Sequence, residues 1–152
     1  MPAWITSTET NIKIEWEAPT DDGGCPVIEY QIYRDDGQGG SVNTLIHYEE
    51  LKGIYYARSL TVTELPVSSV GKRFRFKVRV VTNYATVDSA VSASMILADR
   101  PDKPSMAPTR NTLTSNTTLA ANILAVPGDH GSAIFSYHIE VDDGLGGPFI
   151  EL

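Results

Sequence analysis

A chain of 152 residues, 41% apolar and 20% charged, can form one medium domain, or one small domain and part of another. Its formal net charge of −7 argues against loose electrostatic binding to nucleic acid or anionic membrane, which need a basic field. A single cysteine, Cys25, excludes an internal disulfide, and no apolar run approaches the roughly 20 residues of a membrane-spanning helix.

The opening MPAWITSTET lacks the basic start and apolar run of a signal peptide, so any export signal is expected elsewhere. The first predicted strand is NIKIEW at 11–16, where Ile12, Ile14 and Trp16 face one way and Lys13 and Glu15 the other. Pro19 ends it by removing a ladder donor. DDGGCP at 21–26 is turn chemistry. A second alternating strand spans 27–33, with Ile28, Tyr30 and Ile32 predicted inward and Glu29, Gln31 and Tyr33 outward. DDGQGG at 35–40 makes a hairpin loop, and 44–48 forms a short strand. The connection at 49–53 carries no readable pattern. Leu60, Val62 and Leu65 mark another strand, closed by Pro66.

The segment 72–82, KRFRFKVRVVT, is the clearest signal in the chain. Phe74, Phe76, Val78 and Val80 alternate with Arg73, Arg75, Lys77 and Arg79, which a helix would smear around its axis. It reads as a central strand with one apolar and one basic face. A loop at 83–88 and a final strand at 89–97 follow, and no segment shows sustained helical spacing. DRPDKPSMAP at 99–108 holds three prolines and is expected to be a semi-rigid linker. The pattern then restarts. Residues 11–40 align without gaps on 118–147 at an offset of 107, with DDGxGG falling on DDGxGG. Trp16 falls on Ile123 and Pro19 on Val126, so the early core of the second copy must pack differently.

Four motifs resemble the fibronectin type III family: I-x-I-x-W-x-x-P at 12–19, G-x-P-V-I-x-Y-x-I at 24–32, L-T-V-T-x-L-P at 60–66 and F-x-F-x-V-x-V-x-T-N at 74–83. The resemblance implies an all-β fold, an immunoglobulin-like antiparallel β-sandwich of seven strands, in tandem modules. It places one unit over 1–98, a linker over 99–108, and over 109–152 a second unit carrying only the first four strands. Phe74 stands where the family usually has a tyrosine, so the hydroxyl contact of the sandwich corner is not expected. Both ends are expected to cut across a module, as in an excerpt from a longer array. The half-unit would leave Leu119, Ile123, Tyr137 and Ile139 open, which points to a homodimer by strand exchange or to disorder.

The resemblance implies a non-catalytic structural spacer and protein-interaction module of a larger surface or structural protein, without cofactor. An extracellular or cell-surface setting is expected, with an intracellular structural assembly as the other option. The partner is expected to be a protein or a neighbouring domain, met by Tyr33, Arg75, Lys77 and Arg79 on the outer face and by Tyr84 in the loop that follows. The bland reading of the basic row is cross-strand pairing, for instance with Glu29, although one glutamate leaves a surplus of base. The second alternative is a calcium-dependent adhesion module using Asp21, Asp22, Asp35 and Asp36, against which the loops lack the ligand spacing of an EF-hand. The third is a non-catalytic appendage of a carbohydrate-active or signalling enzyme. His47, His130 and His138 have no metal-ligand spacing, and Cys25 has no evident activating partner. Asn116-Thr117-Thr118 is a glycosylation sequon, and the loop TNYATVD carries no RGD tripeptide.

Overall fold

Alternating apolar side chains become inner strand faces here wherever a second sheet covers them. The computed structural model describes residues 1–66 and 68–151; Val67, in the first expected unit, and Leu152, at the end of the second, lie outside the described residues. The first region contains β1 (Ala3–Ser7), β2 (Ile12–Glu15), β3 (Val27–Arg34), β4 (Thr44–Ile46), a single helical turn α1 (Tyr48–Leu51), β5 (Ser59–Val62), β6 (Arg73–Phe74), β7 (Phe76–Thr82), β8 (Thr86–Asp88) and β9 (Met95–Ile96). The strands pair antiparallel in the orders β1-β2-β5, β4-β3-β7-β8 and β6-β9. The chain is therefore all-β in character.

Register places like with like. Ile12 lies opposite Val62 and Ile14 opposite Leu60, while Tyr30 meets Val80 and Ile32 meets Val78. These side chains, with Trp16, Ile46, Leu51, Phe74, Phe76, Met95 and Leu97, form one core shared by the sheets. Fully burying each large apolar side chain stabilises the fold by roughly 1.5–3 kcal/mol before entropy is counted.

Five expectations need correction. Strand β1 has no counterpart in the sequence reading, because its side chains are mostly exposed and show no alternation. Ile28 is not inward: the register shifts between Val27 and Glu29, turning Val27 onto the core and leaving Ile28 exposed. The stretch 72–82 is not one strand, since β6 pairs with β9 and β7 with β3 and β8. The expected loop at 83–88 contains β8, and the expected strand at 89–97 is ladder only at β9. Between β8 and β9 two serines act in place of strand backbone. The Ser89 and Ser92 hydroxyls accept the amides of Val78 and Phe76 at 3.1 and 3.0 Å, and their own amides donate back at 2.8 Å.

His47, after β4, was unremarkable as sequence. It is buried, with a left-handed backbone (φ 49°), and its Nε2 accepts the amides of Thr63 and Glu64 at 3.0 and 3.4 Å. Its Nδ1 lies 3.0 Å from Glu50 Oε1 but makes no hydrogen bond there. The ring thus ties the α1 turn to the end of β5.

Among the described residues the second region holds four short strands: β10 (Thr109–Arg110), β11 (Ala121–Asn122), β12 (Glu140–Val141) and β13 (Ile150–Glu151). They pair as β10-β11 and β12-β13. Ile12 and Ile32 are 0% exposed, whereas Leu119 and Ile139, their equivalents at the 107-residue offset, are 70% and 36% exposed. Ile123, Tyr137, Ile139 and Phe149 line a cleft of about 350 Å³ together with Pro104, Met106 and Pro108.

Candidate functional site

The outer face of the β4-β3-β7-β8 sheet gathers three of the five expected contact residues. Antiparallel register sets Tyr33 opposite Lys77, Gln31 opposite Arg79, and Arg79 opposite Asp88 on β8. Both cations lie over the Tyr33 ring, Lys77 Nζ at 5.1 Å and the Arg79 guanidinium at 4.8 Å from its centroid. Arg79 also donates to the Tyr33 hydroxyl at 3.0 Å. That hydroxyl donates to Gln31 Oε1 at 3.0 Å, and Gln31 Nε2 donates to Glu29 Oε1 at 2.9 Å. Glu29 in turn accepts the amide of Gly53 at 3.1 Å. The result is one continuous hydrogen-bonded row across three strands.

Asp88 closes the row. Arg79 grips it as a fork, Nε to Oδ1 at 2.5 Å and Nη2 to Oδ2 at 3.0 Å, and Lys77 Nζ reaches Oδ2 at 2.7 Å. The acid that answers the basic row is therefore Asp88, where the sequence suggested Glu29. Its place in β8 opposite Arg79 is a tertiary fact that strand alternation does not encode. The Arg79 hydrogen bond, then that of Lys77, hold the Asp88 carboxyl down at about 2, against an ordinary value of 3.8. A depressed folded-state value stabilises above the ordinary carboxylate range and is lost as pH falls from about 5 towards 2. Because a third of the side chain is exposed, solvent screening reduces the contribution to about 1 kcal/mol. Asp88→Asn should lower the urea-derived stability by that amount at pH 7, and the difference from wild type should shrink as pH falls and vanish only below about pH 2.

Arg75 belongs to a different cluster. Asp35 is fully buried at the start of the 35–40 loop, and Arg75 supplies it with Nε at 2.9 Å and its own amide at 3.1 Å. Gly37 donates a further amide at 3.1 Å. The second guanidinium arm of Arg75 donates to the Gly40 carbonyl at 2.5 Å. Asp21, Asp22 and Asp36, the other aspartates of the calcium alternative, are engaged locally in Asx-turns. Asp21 accepts from Gly23 at 2.8 Å, Asp22 from Gly24 at 2.9 Å, and Asp36 from Gln38 and Gly40 at 2.9 and 3.1 Å. The Gln38 amide, then that of Gly40, pull the Asp36 carboxyl below its ordinary value. Among the described residues no group of three or more His, Cys, Asp or Glu is arranged to hold a metal ion.

Tyr84 stands apart from the row. It is 88% exposed, in the β7–β8 turn past the far end of β7 from Arg75. It lines a cleft of about 350 Å³ between that turn and the 19–25 loop, with Asp21, Asp22, Cys25 and Val87. The expected contact set thus divides into a row (Tyr33, Lys77, Arg79), a corner (Arg75) and a cleft (Tyr84). Two exposed neighbours, Tyr55 and Tyr56, pack edge to face at 5.5 Å, and no periodic sequence pattern surrounds them. Among the described residues no helix is long and apolar enough to cross a membrane. No protein-family model matches the chain.

Proposed function

We propose that the chain is a tandem of fibronectin type III-like β-sandwich units serving as a non-catalytic structural spacer and protein-interaction module, part of a larger assembly. The observation that carries this reading is repetition of side-chain geometry at the 107-residue offset. In the two DDGxGG loops, Gly37 and Gly144 donate to Asp35 and Asp142 at 3.1 Å, and Gly40 and Gly147 to Asp36 and Asp143 at 3.1 Å. Gln38 and Leu145 donate to Asp36 and Asp143 at 2.9 Å. The earlier turn repeats likewise, Gly24 on Asp22 and Gly131 on Asp129. Two copies of one unit in succession suit distance-keeping, while fold alone specifies no ligand.

The row on the outer sheet face also supports a spacer. Its charges answer one another, so it stiffens the sheet and discourages edge aggregation more than it invites an acidic partner. Protein contact then falls to the Tyr84 cleft, where an exposed aromatic lies beside small and acidic residues. A calcium-dependent adhesion role is disfavoured, because the aspartates it would use already hold turn amides or Arg75. Strand exchange between two copies would cover the open apolar residues of the second region, and the molar mass from light scattering separates a dimer from a monomer.

Single-molecule stretching tests the spacer reading. The first unit should unfold in one sharp event that releases about 90 residues, roughly 300 Å of contour. Gradual extension without a discrete event would remove the spacer function.

A further inference from the structure

Where the first copy has Gly23, at φ 66°, the second has His130, at φ 49°. Only glycine visits this region freely, and a side chain there costs on the order of 1 kcal/mol. The His130 ring has a compensating role. Its Nδ1 lies 2.6 Å from Glu9 Oε1, in the turn between β1 and β2, and its Nε2 lies 3.1 Å from Asp102 Oδ1 in the linker. A neutral imidazole owns one N–H, so satisfying both carboxylates requires both nitrogens to donate.

The backbone joins at the same place. The Asp99 amide donates to the His130 carbonyl and the Asp102 amide to that of Gly128, each at 3.1 Å. Gly131 lies against the 70–71 turn so closely that a Cβ on it would come within 2.6 Å of Val70 Cγ1 and 2.7 Å of the Gly71 nitrogen. We propose that the face formed by Glu9, Val70, Gly71 and Asp102 is a docking surface for loop 128–131 of the following unit, with protonated His130 as the key that fixes the angle between units. This deepens the spacer reading and rests on it: consecutive units are held as a rigid joint rather than tethered by a loose linker.

The charged groups facing the ring are Glu9 from its turn and Asp102 from the linker, while Val70 and Gly71 bring no charge. Glu9 first, then Asp102, raise the His130 value from 6.5 to about 9. A raised value means the clamp is fully present below about 6.5 and falls away as pH rises through about 9.

The test is a distance distribution between paired spin labels on the full chain, at Thr61→Cys and Leu124→Cys with Cys25→Ser, one label in each region. At pH 7 the distribution should be a single narrow peak. His130→Gly restores the residue of the first copy, so the backbone is kept while the ring is lost, and the width should at least double. Raising the pH to about 10.5 should broaden the His130 protein and leave His130→Gly unchanged. A broad distribution at pH 7, or a narrow one in His130→Gly, overturns the clamp. Equal broadening of both proteins at high pH overturns the role of the imidazolium. Neither outcome touches the unfolding event of the first unit in the stretching experiment, so failure of the joint is distinguishable from failure of the spacer reading.

Discussion

Replacing Arg75 by alanine is expected to destabilise the first unit by about 3 kcal/mol, at the lower end of the range for breaking a buried ion pair. The reason lies with its partner. Asp35 is 0% exposed, and of its three N–H donors two come from Arg75, the amide and Nε. Alanine keeps the amide and removes Nε, which leaves Oδ2 of a buried carboxylate without its donor. Arg75 itself is a third exposed, so water admitted by the truncation offsets part of the penalty and holds the figure near 3 rather than 5. Asp35→Asn should cost less in the Arg75→Ala background than alone, because the neutral amide no longer needs the cation. Urea unfolding of the four proteins in the cycle measures this. A loss below about 1 kcal/mol for Arg75→Ala would mean that the pair behaves as a solvent-screened surface contact.

Gly37→Ala should cost about 3 kcal/mol, whereas the same change at Gly144, its counterpart in the repeat, should cost about 1. Both residues have positive φ, 75° and 76°, so alanine meets a similar backbone penalty of roughly 1 kcal/mol at each. They differ in what lies beyond. A Cβ at position 37 would sit 2.7 Å from Cε1 and 2.8 Å from Cζ of Phe74, and at position 144 no atom lies within 4 Å. Phe74 is fully buried beneath the Arg34 guanidinium, so its ring cannot step aside cheaply, and overpacking adds roughly 1–3 kcal/mol. Thermal or urea unfolding of the two variants separates the contributions. Equal losses would show that the ring yields.

What could be read from the sequence was what side chains repeat locally. The inner faces of β2, β3, β5 and β7 alternate because each has a second sheet above it, and Ile12, Ile14, Ile32 and Val78 carry that period in plain view. The DDGxGG and DDGG turns were equally legible, since an Asx-turn closes within two to four residues. Strands held mainly by backbone ladder were not. β1 and β8 expose their side chains, so burial imposes no alternation on them. The bulge at Val27 was hidden for a related reason, as a one-residue shift leaves composition untouched while exchanging which neighbour faces the core.

The candidate contact row was half legible. Its cations and Tyr33 follow from period two, but the carboxylate that answers them sits on β8, and only tertiary register brings Asp88 to Arg79. His130 and His47 have no metal-ligand spacing. Their roles depend on a left-handed backbone and on distant partners, 121 residues away for His130 and Glu9. Such pairings leave no trace in local pattern.

On the proposed function, two copies of one β unit follow each other and the first folds by itself. Amide ¹H–¹⁵N spectra of residues 1–98 alone and of the whole chain test it most directly. The fragment should give a dispersed spectrum that overlays that of the whole chain, with shifts concentrated around Glu9, Val70 and Gly71, the proposed docking face for loop 128–131. A collapsed fragment spectrum, or shifts spread through β2, β3, β5 and β7, would contradict it by showing that both regions share one inseparable fold.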